Sequence, residues 1–170
     1  DIALVTAVTP EHMEFFGSID AVAREELAAA NFSKQALINH DDVSPAFANY
    51  VTNGNISTYG SNTSAEYNFE TEGFDIKVGF RGVMNTREYG KIPMDLHVYG
   101  QHSLRPIAAA AKLGLNSEEI AHGAAKIRLV PGRMNVLRGA NDSMLIDDTY
   151  NSSPAALSAA LQTLYDISAS

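Results

Sequence analysis

The sequence predicts an α/β fold in which parallel strands alternate with helices and a small antiparallel β-sheet is added. Three observations predict it. Apolar runs at 2–8 and 34–42 flank an alanine-rich helical stretch, the pattern of strands covered on both faces. The segment 49–100 changes character, rich in Thr, Tyr, Phe, Gly and Asn with partial alternation, which favours several short, mostly antiparallel strands. Helical composition then returns between 105 and 127 and again from 154.

Each element has its own signal. "IALVTAV" (2–8) is β-branched and apolar almost throughout, as a buried parallel strand requires. After the turn "TPEHMEFFGS" comes the helix "IDAVAREELAAAN", with Ser18 placed to cap it. "KQALINHDD" reads as a second buried strand that ends in the pair Asp41 and Asp42. In the middle segment, turn dipeptides such as Asn53-Gly54 punctuate the short strands. "RPIAAAAKLG" and "NSEEIAHGAAKI" read as helices, and Asn116 to Glu119 fits a capping box. "MNVLRG" and "SMLIDD" read as strands, with Met144, Leu145 and Ile146 apolar enough for a buried one. Asn151, Ser152 and Ser153 offer caps, and Pro154 suits the first turn of the final helix, whose apolar spacing is amphipathic.

Composition narrows the function classes. The 170 residues are 45% hydrophobic, ample for one compact domain or parts of two. A net charge of −8 argues against a nucleic-acid surface built on phosphate contacts. The absence of cysteine excludes disulfides and thiolate metal sites and fits a cytoplasmic setting. No apolar run approaches the roughly 18 residues that span a bilayer, and no basic region followed by a hydrophobic core marks the amino terminus.

Four stretches, in order along nearly the whole chain, carry a family resemblance. "TAVTPEHMEFFGSIDAVAREE" resembles a T-N-[IL]-x-x-x-H-[LM]-[DE] segment with its Gly-Ser helix, and "ISTYG" a short T-Y-G strand. "YGQHSLRPIAAAAKLGL" resembles G-x-H-N-x-x-N-x-x-A-A-x-A, and "PGRMNVLRGANDSMLIDDTYNSSPAAL" a G-R element followed by D-D-S-Y-N-A-N-P. Together they resemble the Mur ligases, ATP-dependent enzymes of peptidoglycan precursor synthesis. "DDTYNSSP" and "EHMEFFGS" look closest to the MurF branch, which adds D-Ala-D-Ala to a UDP-MurNAc-peptide.

The resemblance implies a fold, a reaction and a set of residues. The fold is the later part of a Rossmann-like central domain, over 1–153, with 154–170 opening the carboxy-terminal domain. The reaction converts a substrate carboxylate to an acyl phosphate that an amine then attacks, work done mostly by positioning and charge stabilisation. His12 is implied to help hold Mg²⁺, flanked by Glu11 and Glu14. Counting from Gly17 puts Glu26 where the family carries a carbamylated lysine, with Arg24 the alternative; a glutamate already has a carboxylate. For ATP, Asp148 is implied to bind the ribose hydroxyls, Arg133 and His102 to lie near the nucleotide, and Tyr150 and Asn151 to shape the wall between domains.

The sequence also departs from the pattern. Ser103 and Pro106 stand where two asparagines would meet adenine, and Pro106 offers no donor at all. No G-x-x-x-x-G-K-[ST] phosphate loop occurs in the 170 residues. The chain therefore reads as part of a longer ligase and is expected not to catalyse alone. A folyl-polyglutamate- or cyanophycin-type ligase is disfavoured by the D-D-T-Y-N turn, and a catalytically silent Mur-like domain is the competing reading. Taken singly, Asp41-Asp42, Asp147-Asp148 and Glu25-Glu26 are also what solvated strand ends and helix faces look like. Strand 2–8, if left at a sheet edge, is expected to favour a dimer through that edge.

Overall fold

The computed structural model describes residues 1–10, 13–61, 63–75, 79–97, 104–128 and 130–169. Six strands form one mixed sheet in sequence order: β1 (Ile2–Val5), β2 (Gln35–Asn39), β3 (Ile56–Gly60), β4 (Tyr67–Asp75), β5 (Gly79–Thr86) and β6 (Gly90–Leu96). β1 to β4 are parallel; β4, β5 and β6 are antiparallel. The antiparallel strands of the middle segment thus continue the parallel sheet instead of forming a sheet of their own. β4 sits at the junction, whereas β3 is parallel to both its neighbours. Asn53-Gly54, just before it, is accordingly no hairpin turn: Asn53 Nδ2 donates to the carbonyls of Ala30 and Ser33 at 2.7 and 2.9 Å.

Helices cover both faces. The turn after β1 contains one short helical turn, α1 (Met13–Phe16), which the sequence reading had as plain turn. α2 (Ile19–Phe32) follows, with Ser18 Oγ accepting the Ala21 N–H at 3.2 Å. Its Ala23, Leu27 and Ala30 pack with Val5 and Ala36. α3 (Leu104–Lys112) and α4 (Ser117–Ala124) serve the other face, where Ile107, Ala108, Ala111, Ile120 and Ala124 meet Leu37, Tyr59, Tyr67 and Met84. Adjacent residues of β2, Ala36 and Leu37, belong to the two different cores. That is why the parallel strands read as continuous apolar runs. The capping box at α4 is present: Asn116 Oδ1 accepts the Glu119 N–H, and Glu119 Oε2 accepts the Asn116 N–H, both at 2.9 Å.

Two expectations change. β1 ends at Val5 rather than Val8, because beyond it the Thr6 carbonyl accepts from the Asn39 amide and the Val8 N–H donates to the Asp42 carbonyl instead of ladder pairing. The run Met144–Ile146 is not a buried parallel strand. It lies in β8 (Met144–Asp147), which pairs antiparallel with β7 (Asn135–Arg138) in a separate two-stranded sheet. A hairpin of two strands has no helix layer on each side, and the facing pair Leu137 and Leu145 stays 47% and 53% exposed. The last helix, α5 (Pro154–Ala169), starts at the proline, and Ser153 Oγ accepts the Ala156 N–H at 3.2 Å. No helix among the described residues is long and apolar enough to cross a membrane.

Candidate functional site

The β7–β8 pairing sets Asn135 opposite Asp147, so the residues before β7 lie beside those after β8. The juxtaposition is sealed by the Gly132 carbonyl, which accepts the Tyr150 N–H at 3.0 Å. Gly132 has φ +76°, and a Cβ there would stand 3.1 Å from the Tyr150 nitrogen, so glycine is required on two counts. Met134 takes φ +53°, rare for a residue with a side chain, and its N–H donates to Asp148 Oδ1 at 3.1 Å. Between these two left-handed residues, Arg133 projects its guanidinium 4.2 Å over the Tyr150 ring.

The result is a planar cation on an exposed aromatic ring, with a half-buried carboxylate alongside. A carboxylate that accepts one backbone N–H keeps acceptor sites for hydroxyl donors. Arginine is fixed in charge and its fork suits phosphate oxygens. Asp148 thus keeps acceptor sites and Arg133 a fixed cation, groups whose chemistry is compatible with a nucleotide. Asp147 is turned to another use. The Thr149 hydroxyl donates to its Oδ1 at 2.7 Å, and that bond holds its carboxyl below the usual carboxylate range. Asn151 follows, exposed, before α5.

A second set of predicted residues lies on α2. Glu26 is exposed on α2, three residues after the buried Ala23 and four from the buried Val22 and Ala30. The Arg24 guanidinium lies 5.0 Å from the centre of the Tyr50 ring, whose hydroxyl donates to Asp20 Oδ1 at 2.7 Å. His12, Glu11, His102 and Ser103 lie outside the described residues. Pro106 is exposed in the first turn of α3, where proline costs no helical hydrogen bond. Among the described residues no three His, Cys, Asp or Glu come together to hold a metal. The described donors therefore do not fit a Mg²⁺ site by themselves.

Sequence reasoning missed the polar rim where β2 and β3 end. Asp41 Oδ2 accepts the Ser61 N–H and hydroxyl at 2.6 and 3.0 Å, and a Cβ on Gly60 would stand 2.8 Å from Asp41 Oδ1. Asn39, only 3% exposed, anchors the neighbouring strand exits. The one signal was a polar asparagine closing an apolar run ahead of two carboxylates.

Residues 1–114 match the family model of the Mur ligase middle domain. The UDP-N-acetylmuramate–L-alanine ligase of Sinorhizobium medicae is 28% identical over 95% of this chain and 37% of its own length. The UDP-N-acetylmuramoyl-tripeptide–D-alanyl-D-alanine ligase of Bacillus subtilis is 26% identical over 95% of this chain and 35% of its own. Among solved structures, the MurF ligase of Thermotoga maritima in complex with ADP superimposes with a TM-score of 0.74 at 19% identity, covering 96% of this chain and 39% of that one. The chain thus spans well under half the length of these relatives. With the middle-domain match extending from β1 through α3, the chain belongs to the Mur ligase family.

Proposed function

We propose that the chain is the later part of the ATP-binding middle domain of a peptidoglycan-precursor amide ligase, with 1–153 in that domain and 154–170 opening the next. The observation that carries this reading is the Arg133–Tyr150 stack beside Asp148, which joins the G-R element to the D-D-T-Y-N turn. The ADP complex of the Thermotoga maritima MurF supports a nucleotide as the ligand. In this reading Asp148 accepts the ribose hydroxyls, Arg133 faces anionic oxygens, His102 meets the nucleotide, and Tyr150 and Asn151 line the approach to the next domain.

ATP supplies the phosphoryl group that turns a substrate carboxylate into an acyl phosphate. The chain's own task is to hold the partners in line and stabilise charge. The substrates are a UDP-MurNAc-peptide and D-Ala-D-Ala, and the setting is cytoplasmic. Mg²⁺ belongs to the reading through His12 and Glu26. The described donors alone do not complete its site.

The acceptor is the finer part of the proposal. The Bacillus subtilis relative is named for D-alanyl-D-alanine and the Sinorhizobium medicae one for L-alanine. The turn "DDTYNSSP" favours the first. The silent-domain reading keeps one observation, the exposed Pro106 where an adenine-facing asparagine is expected. ADP release by the full-length protein, measured with D-Ala-D-Ala and a UDP-MurNAc-peptide and with L-alanine and UDP-N-acetylmuramate, separates the three. Turnover with D-Ala-D-Ala alone is expected; turnover with L-alanine alone corrects the acceptor, and none with any acceptor overturns the ligase.

A further inference from the structure

The turn that carries Asp148 and Tyr150 is closed by its own first residue. Asp147 ends β8, and its Oδ1 accepts both the Thr149 hydroxyl at 2.7 Å and the Thr149 N–H at 3.3 Å. A carboxylate that captures the N–H two residues ahead closes an Asx turn and fixes the backbone it spans. The residue spanned here is Asp148. The hydroxyl bond to the same oxygen holds the Thr149 side chain together with its main chain.

Thr149 stands between the two residues that grip the opposite loop. Before it, Asp148 Oδ1 accepts the Met134 N–H at 3.1 Å; after it, the Tyr150 N–H donates to the Gly132 carbonyl at 3.0 Å. Gly132 and Met134 flank Arg133 and both have positive φ, +76° and +53°. Within the loop itself, the Arg133 N–H donates to the Val130 carbonyl at 3.0 Å, a bond that closes the loop without tying it to the turn. The turn is thus the template on which the loop is held. The line of contacts runs from Asp147 to Thr149, through its two neighbours to Gly132 and Met134, and so to the guanidinium 4.2 Å over the Tyr150 ring.

We propose that Asp147 and Thr149 are positioning residues for the nucleotide site: their paired bonds set the turn that places Asp148 and Tyr150 and, through them, Arg133. The inference rests on the reading in which Arg133, Asp148 and Tyr150 hold a nucleotide. Neither Asp147 nor Thr149 is assigned contact with it. The two adjacent carboxylates thereby divide the work, Asp148 with acceptor sites left for a ligand and Asp147 as the support that aims it. A control of similar chemistry lies on the main sheet. Asn31 Nδ2 donates to the Tyr50 carbonyl at 2.8 Å and its Oδ1 accepts the Thr52 N–H at 2.7 Å, bonds that brace the approach to β3.

The test is calorimetric titration of ATP into the full-length protein and its variants, each used where circular dichroism shows it folded. Asp147→Ala is expected to weaken binding roughly three- to tenfold, the effect of losing bonds of ordinary strength. Asp147→Asn keeps an Oδ1 acceptor for both Thr149 donors and should stay within about twofold of the parent. Thr149→Val removes the hydroxyl and should weaken binding, whereas Thr149→Ser should restore it. Because the two residues act through one contact, Asp147→Ala combined with Thr149→Val should bind no more weakly than Asp147→Ala alone. Asn31→Ala should lower Tm and leave Kd. Parent-like affinity in Asp147→Ala, with Asp148→Ala weakened, overturns the positioning role alone. An additive loss in the double variant does the same, as does an equal loss in Asn31→Ala. Asp147→Asn as weak as Asp147→Ala also overturns it, since the charge itself would then meet the ligand. Parent-like affinity in Asp148→Ala, or no binding by the parent, overturns the reading on which the inference rests.

Discussion

Gly132 and Met134 both hold left-handed backbone on either side of Arg133, and this pair of φ values aims the guanidinium at Tyr150. Substituting Gly132 by alanine combines an unfavourable φ with a Cβ 3.1 Å from the Tyr150 nitrogen. A loss of roughly 1–2 kcal/mol is expected from the backbone conformation, read by urea denaturation, together with displacement of the Tyr150 ring. Arg133, Asp148 and Tyr150 could be singled out in the sequence because they sit in two motifs, and the structure brings those motifs together. Met134 could not, since nothing in a methionine announces a positive φ; the Asp148 carboxylate that holds its N–H decides it. Asp147 and Asp148 looked alike as a pair. The structure divides them, one locked to Thr149 and the other turned to Met134.

At the scale of elements, α3 is fastened to the sheet by a polar cluster. Tyr67 is fully buried on β4, its hydroxyl donates to Glu88 Oε1 at 2.6 Å, and Lys112 Nζ approaches the same oxygen at 4.0 Å. Burial first, then the bond to Glu88, push the Tyr67 phenol far above its ordinary 10.0. A raised value means that the folded state keeps a proton the unfolded chain releases. The stabilisation is therefore complete below pH 10.0 and declines as pH rises above it. Denaturation at about pH 9 and about pH 11 should show that decline, and Tyr67→Phe should flatten it. On the other face, Leu27 is 1% exposed, and Leu27→Ala should cost about 2–5 kcal/mol in the same assay. The longer helices and the caps at Ser18 and Asn116 were legible because periodicity and capping are local. The pairing of β3 was not, because parallel or antiparallel is decided by partners far along the chain.

For the whole molecule, the two edges of the main sheet differ. β6 carries Lys91, Pro93 and Asp95, residues that discourage further pairing. β1 carries only Ile2, Ala3, Leu4 and Val5, and among the described residues it pairs with β2 alone. This chain in isolation is expected to self-associate through β1 as concentration rises. A sedimentation profile that stays monomeric across the range contradicts this. The α/β class and the family were legible because motif order survives at low identity. How the middle segment joins the parallel sheet was hidden, since composition reports strands and not their neighbours.

The central claim is a nucleotide site built on Arg133, Asp148 and Tyr150. Calorimetric titration of ATP into the full-length protein, beside its Asp148→Ala and Arg133→Ala variants, tests it most directly. The account predicts saturable binding by the parent and at least about tenfold weaker binding, a difference of about 1.4 kcal/mol, in each variant. Equal affinity in all three would contradict the site, and no binding by the parent would leave the silent domain as the better account.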